Sequence, residues 1–179
     1  MKKLLITLAT VLSVVFLNSC RGPQVIPEGI PGPEGPAGGL EYATAIEIVT
    51  DFTPANNFRL EEPFGFEVFP ADVPLIFIRW EQSGNGTDIW RPLPQTAYLD
   101  AGILSYNFDF TTDDFAIFLE GTFNNFADAG PDYLNNQIFR VVMVPAAFLE
   151  TARAKKMTYD NITKELGITE QSFVHRDLR

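Results

Sequence analysis

Apolar residues that alternate with polar residues constrain the fold of this chain more than any other feature of its sequence. The segment Leu104–Phe110 alternates apolar residues with serine, asparagine and aspartate, and the same period of two runs through residues 42–48 and 64–68. A period of two is typical of a β-strand that buries one of its faces. These three segments are therefore predicted to be half-buried strands.

Three other segments, Leu75–Trp80, Phe115–Leu119 and Phe139–Val144, are nearly continuous apolar runs. Runs of this length are expected for strands that are covered on both faces. Together the two patterns predict an all-β fold, an antiparallel β-sandwich of seven or eight strands, with a barrel as the alternative. We assign this domain to residues 41–150.

An Asn-Gly pair at residues 85–86 predicts a tight hairpin, because both central residues of a type I′ turn need positive φ. A two-residue turn there sets Trp80 opposite Arg91, and Glu81 opposite Trp90. The two tryptophans are then expected on opposite faces of the hairpin. Turn segments at residues 100–102 and 111–114 predict two more hairpins, so that residues 75–120 form a meander.

The C-terminal residues 151–179 differ from the domain in composition and pattern. They contain six basic and four acidic residues, whereas residues 41–150 contain four basic and seventeen acidic residues. Residues 146–156 and 159–166 favour helix, and Gly167 is placed to end the second one. We predict a short helical segment that docks on the acidic domain.

The overall charge limits the partners of the protein. The chain of 179 residues has a formal net charge of −10, and removal of residues 1–19 would leave 11 basic against 23 acidic residues. Such a charge argues against nucleic acid and against a basic membrane-binding patch. The 16 phenylalanines and 46% hydrophobic residues supply ample material for a packed core.

The first twenty residues have the pattern of a bacterial secretory signal. Two lysines precede the apolar run Leu4–Leu17, which is shorter than the roughly 20 residues of a membrane span. The end of this segment, Leu17-Asn18-Ser19-Cys20, resembles a lipobox, and the resemblance implies that residues 1–19 are removed and that Cys20 is lipidated. Ordinary cleavage nearby or an uncleaved anchor are the alternatives. Cys20 is the only cysteine, so no intrachain disulfide can form.

Residues 20–40 are predicted to form an extended Pro/Gly stalk after the lipidated cysteine. Four consecutive Gly-X-Y triplets run from Gly29 to Leu40, and collagen needs glycine at every third position. Four triplets are few for a triple helix, so a semi-rigid spacer of about 3 Å per residue is favoured. A homotrimer through the triplets is the alternative.

The whole chain resembles a group of small lipoproteins from Bacteroidetes and flavobacteria with a lipobox, a brief collagen-like stalk and one β-rich domain. The resemblance is carried by residues 32–36 of the stalk and by residues 88–96, 104–109 and 139–145 of the domain. It implies a lipid anchor in the outer membrane, facing either the periplasm or the cell surface. The group has no established activity, so only Cys20 is carried over as a functional residue.

Enzyme chemistry finds little support in the sequence, and we expect a non-catalytic envelope protein without metal or cofactor. The only histidine, His175, lies in a charged tail, and no nucleophile elbow surrounds any serine. Paired carboxylates such as Asp113-Asp114 leave glycoside hydrolysis as an alternative. Loop carboxylates leave calcium binding as another, with Asp109, Asp113 and Asp114, or Asp128 with Asp132, as the candidate ligands.

Aromatic residues provide the main candidates for ligand binding: Trp80, Trp90, Arg91, Tyr98 and Tyr106. A glycan-binding module of a polysaccharide-handling system would use such rings for stacking. The predicted register argues against one platform, and it favours a cation–π contact of Trp80 with Arg91 and core positions for Trp90 or Tyr106. A glycan or an envelope protein is the expected partner.

Two arginines, Arg79 and Arg140, lie within apolar strands. An unpaired buried charge is prohibitive, so each is expected to pair with a carboxylate or to lie at a sheet edge. An anion-binding site is the alternative for these two residues.

Overall fold

The computed structural model describes residues 44–145, residue 148 and residues 158–179. Within these residues the protein is mostly β, with nine strands and two short helices. The strands are β1 (Ala45–Thr50), β2 (Arg59–Pro63), β3 (Val73–Gln82), β4 (Asp88–Pro92), β5 (Gln95–Leu99), β6 (Gly102–Phe110), β7 (Asp114–Gly121), β8 (Gln137–Val144) and β9 (Phe173–Asp177). The helices are α1 (Pro131–Leu134) and α2 (Tyr159–Glu165), and short 3-10 turns cover Pro54–Asn56, Phe126–Ala129 and Glu170–Ser172.

The strands form two separate sheets. The five-stranded sheet has the order β4-β3-β8-β1-β9, and the four-stranded sheet has the order β2-β7-β6-β5. All pairs in the four-stranded sheet are antiparallel, but β9 runs parallel to β1, so the five-stranded sheet is mixed. The expectation of an entirely antiparallel fold with seven or eight strands is therefore wrong, because the chain end adds a parallel strand.

One hydrophobic core contains residues from both sheets. The alternating residues of β1 and β6 turn their apolar side chains into it, as the period of two predicts. Burial of each large apolar side chain contributes about 1.5–3 kcal/mol. The five-stranded sheet supplies Ile46, Ile48, Ile76, Ile78, Phe139 and Val141, and the four-stranded sheet supplies Leu60, Leu104, Tyr106, Phe115, Ile117 and Leu119.

A second, smaller core covers the other face of the five-stranded sheet. Ile162 of helix α2 and Leu166, which caps its end, pack against Phe77 of β3 and against Val142 and Val144 of β8. The continuous apolar runs of β3 and β8 thus lie between two cores, as predicted for strands covered on both faces. The run in β7 differs, because its outward-facing Phe118 is only half-buried, and the guanidinium carbon of Arg59 lies 5.1 Å from its ring centroid.

The strand predicted for residues 64–68 is wrong. These residues form a loop, and the neighbouring strand β2 ends before it at Pro63. Phe64 is buried and its ring lies 5.7 Å from that of Phe66, while Gly65 turns the chain with a φ of 79°. The alternation of phenylalanines therefore comes from a turn in which both rings pack together. A sequence period of two cannot distinguish such a turn from a strand.

The hairpin between β3 and β4 exists, but its predicted two-residue turn is wrong. Only Gly86 of the Asn-Gly pair has positive φ, and the loop is closed by hydrogen bonds between Ser83 and Thr87. The register shifts at a β-bulge between Arg79 and Glu81, so that Arg79 pairs with Trp90. The extra residue in the bulge is Trp80, which explains why counting from the turn misplaces it.

The meander predicted for residues 75–120 is also interrupted. Strands β3 and β4 belong to the five-stranded sheet, whereas β5, β6 and β7 belong to the other. The chain crosses between the sheets at Leu93 and Pro94, which are joined by a cis peptide bond. The two later hairpins, β5–β6 and β6–β7, are formed as predicted.

The last residues of the chain combine a helix with a strand. Helix α2 is confirmed, and Gly167 follows it with a φ of 67°, as expected for a helix-ending glycine. The purely helical expectation for residues 151–179 is wrong, because β9 pairs along β1 at the sheet edge. The helix predicted for 146–156 lies almost entirely outside the described residues.

Arg140 in the middle of β8 is buried between the five-stranded sheet and the chain end, with a side chain only 6% exposed. Its Nε donates to Glu47 Oε2 at 2.7 Å, and its two Nη atoms donate to the carboxylate of Glu170 at 3.0 and 2.5 Å. Nη1 also donates to the hydroxyl of Tyr159. Burial disfavours the charged guanidinium, but the bonds to Glu170, Glu47 and Tyr159 outweigh it and raise the pKa of Arg140.

Aromatic rings enclose the same guanidinium. Its carbon lies 4.4 Å from the ring centroid of Trp90 and 4.2 Å from that of Phe173. Trp90 in turn stacks on Tyr159, with centroids 5.3 Å apart. Arginine favours such sites because its planar, weakly hydrated group stacks on aromatic faces while it binds carboxylates. We call Arg140, Glu47, Glu170, Trp90 and Tyr159 the Arg140 cluster.

Arg140→Ala is expected to lower the free energy of unfolding by about 3–5 kcal/mol, because Glu47 would stay largely buried without its cation. Urea unfolding measures this loss. Arg59→Ala is the matched control, an arginine on an outer strand whose exposed pairs with Glu61 and Asp109 contribute about 0–1 kcal/mol. Equal losses in the two variants would contradict the assignment of Arg140 as a structural centre.

Candidate functional site

An open groove lies where strand β3 ends beside helix α1 and the start of β8. It has a volume of about 440 Å³, and an inner recess of about 170 Å³ adjoins it. The groove is lined by side chains that include Arg79, Trp80, Gln82, Asp132, Asn135 and Gln137. The recess adds Tyr106 and Tyr133. We call this the Trp80 groove.

Local chain geometry fixes the wall of the groove that α1 and β8 provide. Pro131 begins helix α1, and the amide of Gln137 donates to the backbone carbonyls of Asp132 at 3.0 Å and Asn135 at 2.9 Å. Asn136 has a φ of 52°, and its backbone N–H donates to Asp51 Oδ1 at 2.6 Å. The turn between α1 and β8 is thus held by side chains rather than by regular structure.

The bulge in β3 places Trp80 at the groove, where it is half-buried. Its ring contacts Tyr106 at 6.5 Å and Tyr133 at 6.4 Å between centroids. The guanidinium of Arg91 lies over the same indole at 4.7 Å, and Arg91 also pairs with Glu81 at 3.8 Å. The predicted cation–π contact between Trp80 and Arg91 is confirmed, although the register from which it was predicted is wrong.

Tyr106 forms the floor of the inner recess. Its side chain is 1% exposed, and its hydroxyl donates to the backbone carbonyl of Tyr133 at 2.6 Å. Burial and the neighbouring Tyr133 raise the pKa of Tyr106 above its ordinary value. The core position predicted for Tyr106 is therefore confirmed, and its hydroxyl links the core to helix α1.

Several polar groups in the groove have no partner among the described residues. They are the indole Nε1–H of Trp80, the hydroxyl of Tyr133, the carboxylate of Asp132 and the side-chain oxygen of Gln137, none of which is sealed away from solvent. Other groups in the groove are paired: Arg79 lies 3.7 Å from Asp88, to which Gln82 also donates at 2.7 Å. The groove therefore offers both free donors and free acceptors.

The structure separates the predicted ligand-binding residues. Trp80, Arg91 and Tyr106 come together, whereas Trp90 belongs to the Arg140 cluster on the other face of its sheet. Tyr98 is 82% exposed on the edge strand β5 and has no contact with the others. The opposite faces predicted for the two tryptophans are confirmed, and a single aromatic platform is not formed.

The sequence did not point to Asp132, Tyr133 and Gln137 as parts of this site. The only signal was Gly130-Pro131, which marks the start of a helix within a polar segment. Nothing in the pattern shows that this short helix meets the bulged end of β3, because that contact joins residues about fifty positions apart.

The carboxylates considered for other chemistry lie in two regions, the β6–β7 hairpin and the segment around helix α1. Asp109 pairs with Arg59 at 3.2 Å, Asp114 accepts from the hydroxyl of Thr111, and Asp128 accepts from Asn125. Among residues 44–145 and 158–179, no group of three or more metal-ligating side chains lies close enough to hold an ion. The candidate calcium ligands Asp109, Asp113, Asp114, Asp128 and Asp132 thus form no cluster of three or more among these residues.

The remaining candidate residues, His175, Arg79 and Arg140, each lie next to a carboxylate. His175 on β9 is 63% exposed, and its Nδ1 lies 3.0 Å from Glu47 Oε1. Both arginines within apolar strands pair with carboxylates as predicted, Arg79 with Asp88 and Arg140 with Glu47. Because four hydrogen bonds already use the guanidinium of Arg140, the anion-site alternative is not supported there.

Comparison of the chain with protein-family models, curated proteins and solved structures gives no match. In the described part of the chain, no helix combines the length and apolar character needed to cross a membrane. The function of the protein therefore has to be inferred from its own residues and their contacts.

Tyr106→Phe is expected to cost about 1 kcal/mol at pH 7, the usual net contribution of one hydrogen bond. Because the raised pKa keeps the folded hydroxyl protonated while the unfolded one ionises near pH 10, the wild type should lose stability above about pH 10. The phenylalanine variant should lack this component of the loss. Urea unfolding at pH 7 and 10.5 measures both effects.

Tyr98→Phe is the control, because the hydroxyl of Tyr98 has no partner and its side chain is exposed. It should leave the stability at pH 7 unchanged. A Tyr106→Phe variant that behaves like this control would contradict the structural role of the buried hydroxyl.

Proposed function

We propose that this chain is a non-catalytic lipoprotein of the cell envelope, anchored in the outer membrane through a lipid on Cys20. Its β-sandwich domain acts by binding a partner or a ligand. The resemblance to small lipoproteins of Bacteroidetes implies the same location in the outer membrane and the same arrangement of anchor, stalk and β-rich domain.

The anchor is supported by the N-terminal sequence. Two lysines, a short apolar run and the lipobox-like ending place a single cysteine where lipoproteins carry theirs. These residues and the stalk of residues 20–40 lie outside the described residues. If residues 20–40 are extended as a polyproline II spacer, they reach on the order of 65 Å, which would hold the domain well clear of the lipid.

The binding role is carried by one observation, the Trp80 groove. It is the place where a β-bulge, an aromatic wall and unpartnered polar side chains meet. Bulges are often found beside functional sites, where they re-aim a side chain. The two sheets that share one core support the sandwich architecture, in which strand β3 supplies one wall of the groove.

Cys20→Ser is expected to abolish incorporation of radiolabelled palmitate and to move the protein from the membrane fraction to the soluble one. The reason is that only the thiol of Cys20 can accept the diacylglyceryl group. Ser19→Ala is the control, since it keeps a small residue before the cysteine. Membrane association that survives Cys20→Ser would contradict the lipid anchor.

The stalk is expected to act as a spacer, because four Gly-X-Y triplets give too short a triple helix to hold three chains. Light scattering of residues 21–179 and of residues 41–179 should therefore give a monomer for both. A trimer that becomes monomeric when residues 21–40 are removed would contradict the spacer and identify the stalk as the element that assembles a homotrimer.

A further inference from the structure

We propose that the Trp80 groove binds a neutral saccharide, one or two sugar rings of a larger glycan, which would make the domain a glycan-binding module. This ligand class rests on the proposed binding role of the domain. The size, the polar groups, the charge and the aromatic wall of the groove support a neutral saccharide as the ligand.

The size of the groove suits a small part of a glycan. Its volume of about 440 Å³ lies in the range of about 300–1,000 Å³ that is usual for small-molecule sites. The groove is open to solvent at the end of β3, so a longer chain can extend out of it. The inner recess beside Tyr106 and Tyr133 adds space for one substituent of a ring.

The unpartnered polar groups match hydroxyl groups. Trp80 Nε1–H can only donate, the carboxylate of Asp132 and the side-chain oxygen of Gln137 can only accept, and the hydroxyl of Tyr133 can do both. A sugar hydroxyl also donates and accepts, so one ring can satisfy neighbouring groups of opposite kind. A ligand that only accepts, such as a sulfate or a phosphate diester, would make no hydrogen bond to Asp132 or to the side-chain oxygen of Gln137.

The charges of the groove favour an uncharged ligand. Among the described residues that line the groove, Arg79 is the one cation, and its guanidinium is paired with Asp88 at 3.7 Å. The unpaired charge belongs to the carboxylate of Asp132, which repels an acidic sugar. A neutral hydroxyl can instead donate a charge-assisted hydrogen bond to that carboxylate, which is roughly twice as strong as a neutral one.

The aromatic wall is angled rather than flat. The rings of Trp80 and Tyr133 meet at 60°, and Arg91 covers one face of the indole. Such a wall can contact one or two rings at a chain end or a bend, but it cannot support a flat row of parallel sugar chains. The exposed Tyr98 lies on a different strand and has no part in this site.

The test is isothermal titration calorimetry of the full lipoprotein in detergent with maltohexaose, cellohexaose, xylohexaose and mannohexaose. A hexamer of galacturonic acid and choline serve as acidic and cationic probes. We expect at least one neutral oligosaccharide to bind and the two charged probes not to. Binding of a charged probe alone, or of no oligosaccharide, would overturn the neutral saccharide as the ligand class.

Variants locate the binding site. Trp80→Ala and Asp132→Ala should each weaken binding at least about tenfold, the loss of one good contact. Asp132 is exposed, so its variant keeps the fold even if Trp80→Ala does not. Tyr98→Ala, the matched control, should bind within about twofold of the wild type, and loss of binding in this variant with retention in Asp132→Ala would overturn the groove as the site.

A photo-crosslinking residue in place of the exposed Asn135 separates this proposal from the proposed function. If no oligosaccharide binds but irradiated cells give a crosslink to another envelope component, the ligand class is overturned and the binding role stands. If neither oligosaccharides nor envelope components are captured, the binding role at this groove fails as well.

Discussion

The buried guanidinium of Arg140 is the constraint on which the rest of the structure depends. A charge in the middle of an apolar strand is tolerated only if carboxylates and further hydrogen-bonding groups surround it. Glu47 on the neighbouring strand supplies one carboxylate, but the other partners, Glu170 and Tyr159, come from the chain end. Residues 158–179 must therefore cover this sheet before the domain is complete.

Once the chain end is in place, it ties the two sheets and the groove together. Arg176 on β9 donates to the backbone carbonyls of Pro63, the last residue of β2, and of Phe64 just after it, at 2.7 and 2.8 Å. Arg179 donates to Asn136 at 2.8 Å, next to the turn that forms one wall of the Trp80 groove. The Arg140 cluster thus stabilises the candidate site indirectly, through the chain end, which contacts both.

The sequence predicts the parts of this fold that depend on local periodicity. Strands β3, β6, β7 and β8 follow from their apolar patterns, and helix α2 follows from its pattern and the glycine after it. Strand β9 escapes prediction because Phe173-Val174-His175 is too short to show a period, and its parallel partner lies about 128 residues away. The loop at Phe64–Phe66 misleads for the opposite reason, since a turn can bury two phenylalanines with a spacing of two.

The candidate site could be predicted only in part, and the β-bulge explains why. Residue types drew attention to Trp80, Arg91 and Tyr106, but counting from an ideal turn cannot reveal an extra residue within a strand. A bulge interrupts the hydrogen bonds between two strands. The bulge at Trp80 therefore disrupts the sheet at a point where a regular strand would continue its pairing. The indole packs against the hydrophobic core on one side, but it remains partly exposed and contacts Arg91 on another. This local disruption, which brings an aromatic ring to a group of free polar side chains, is the feature on which we base the proposed ligand binding.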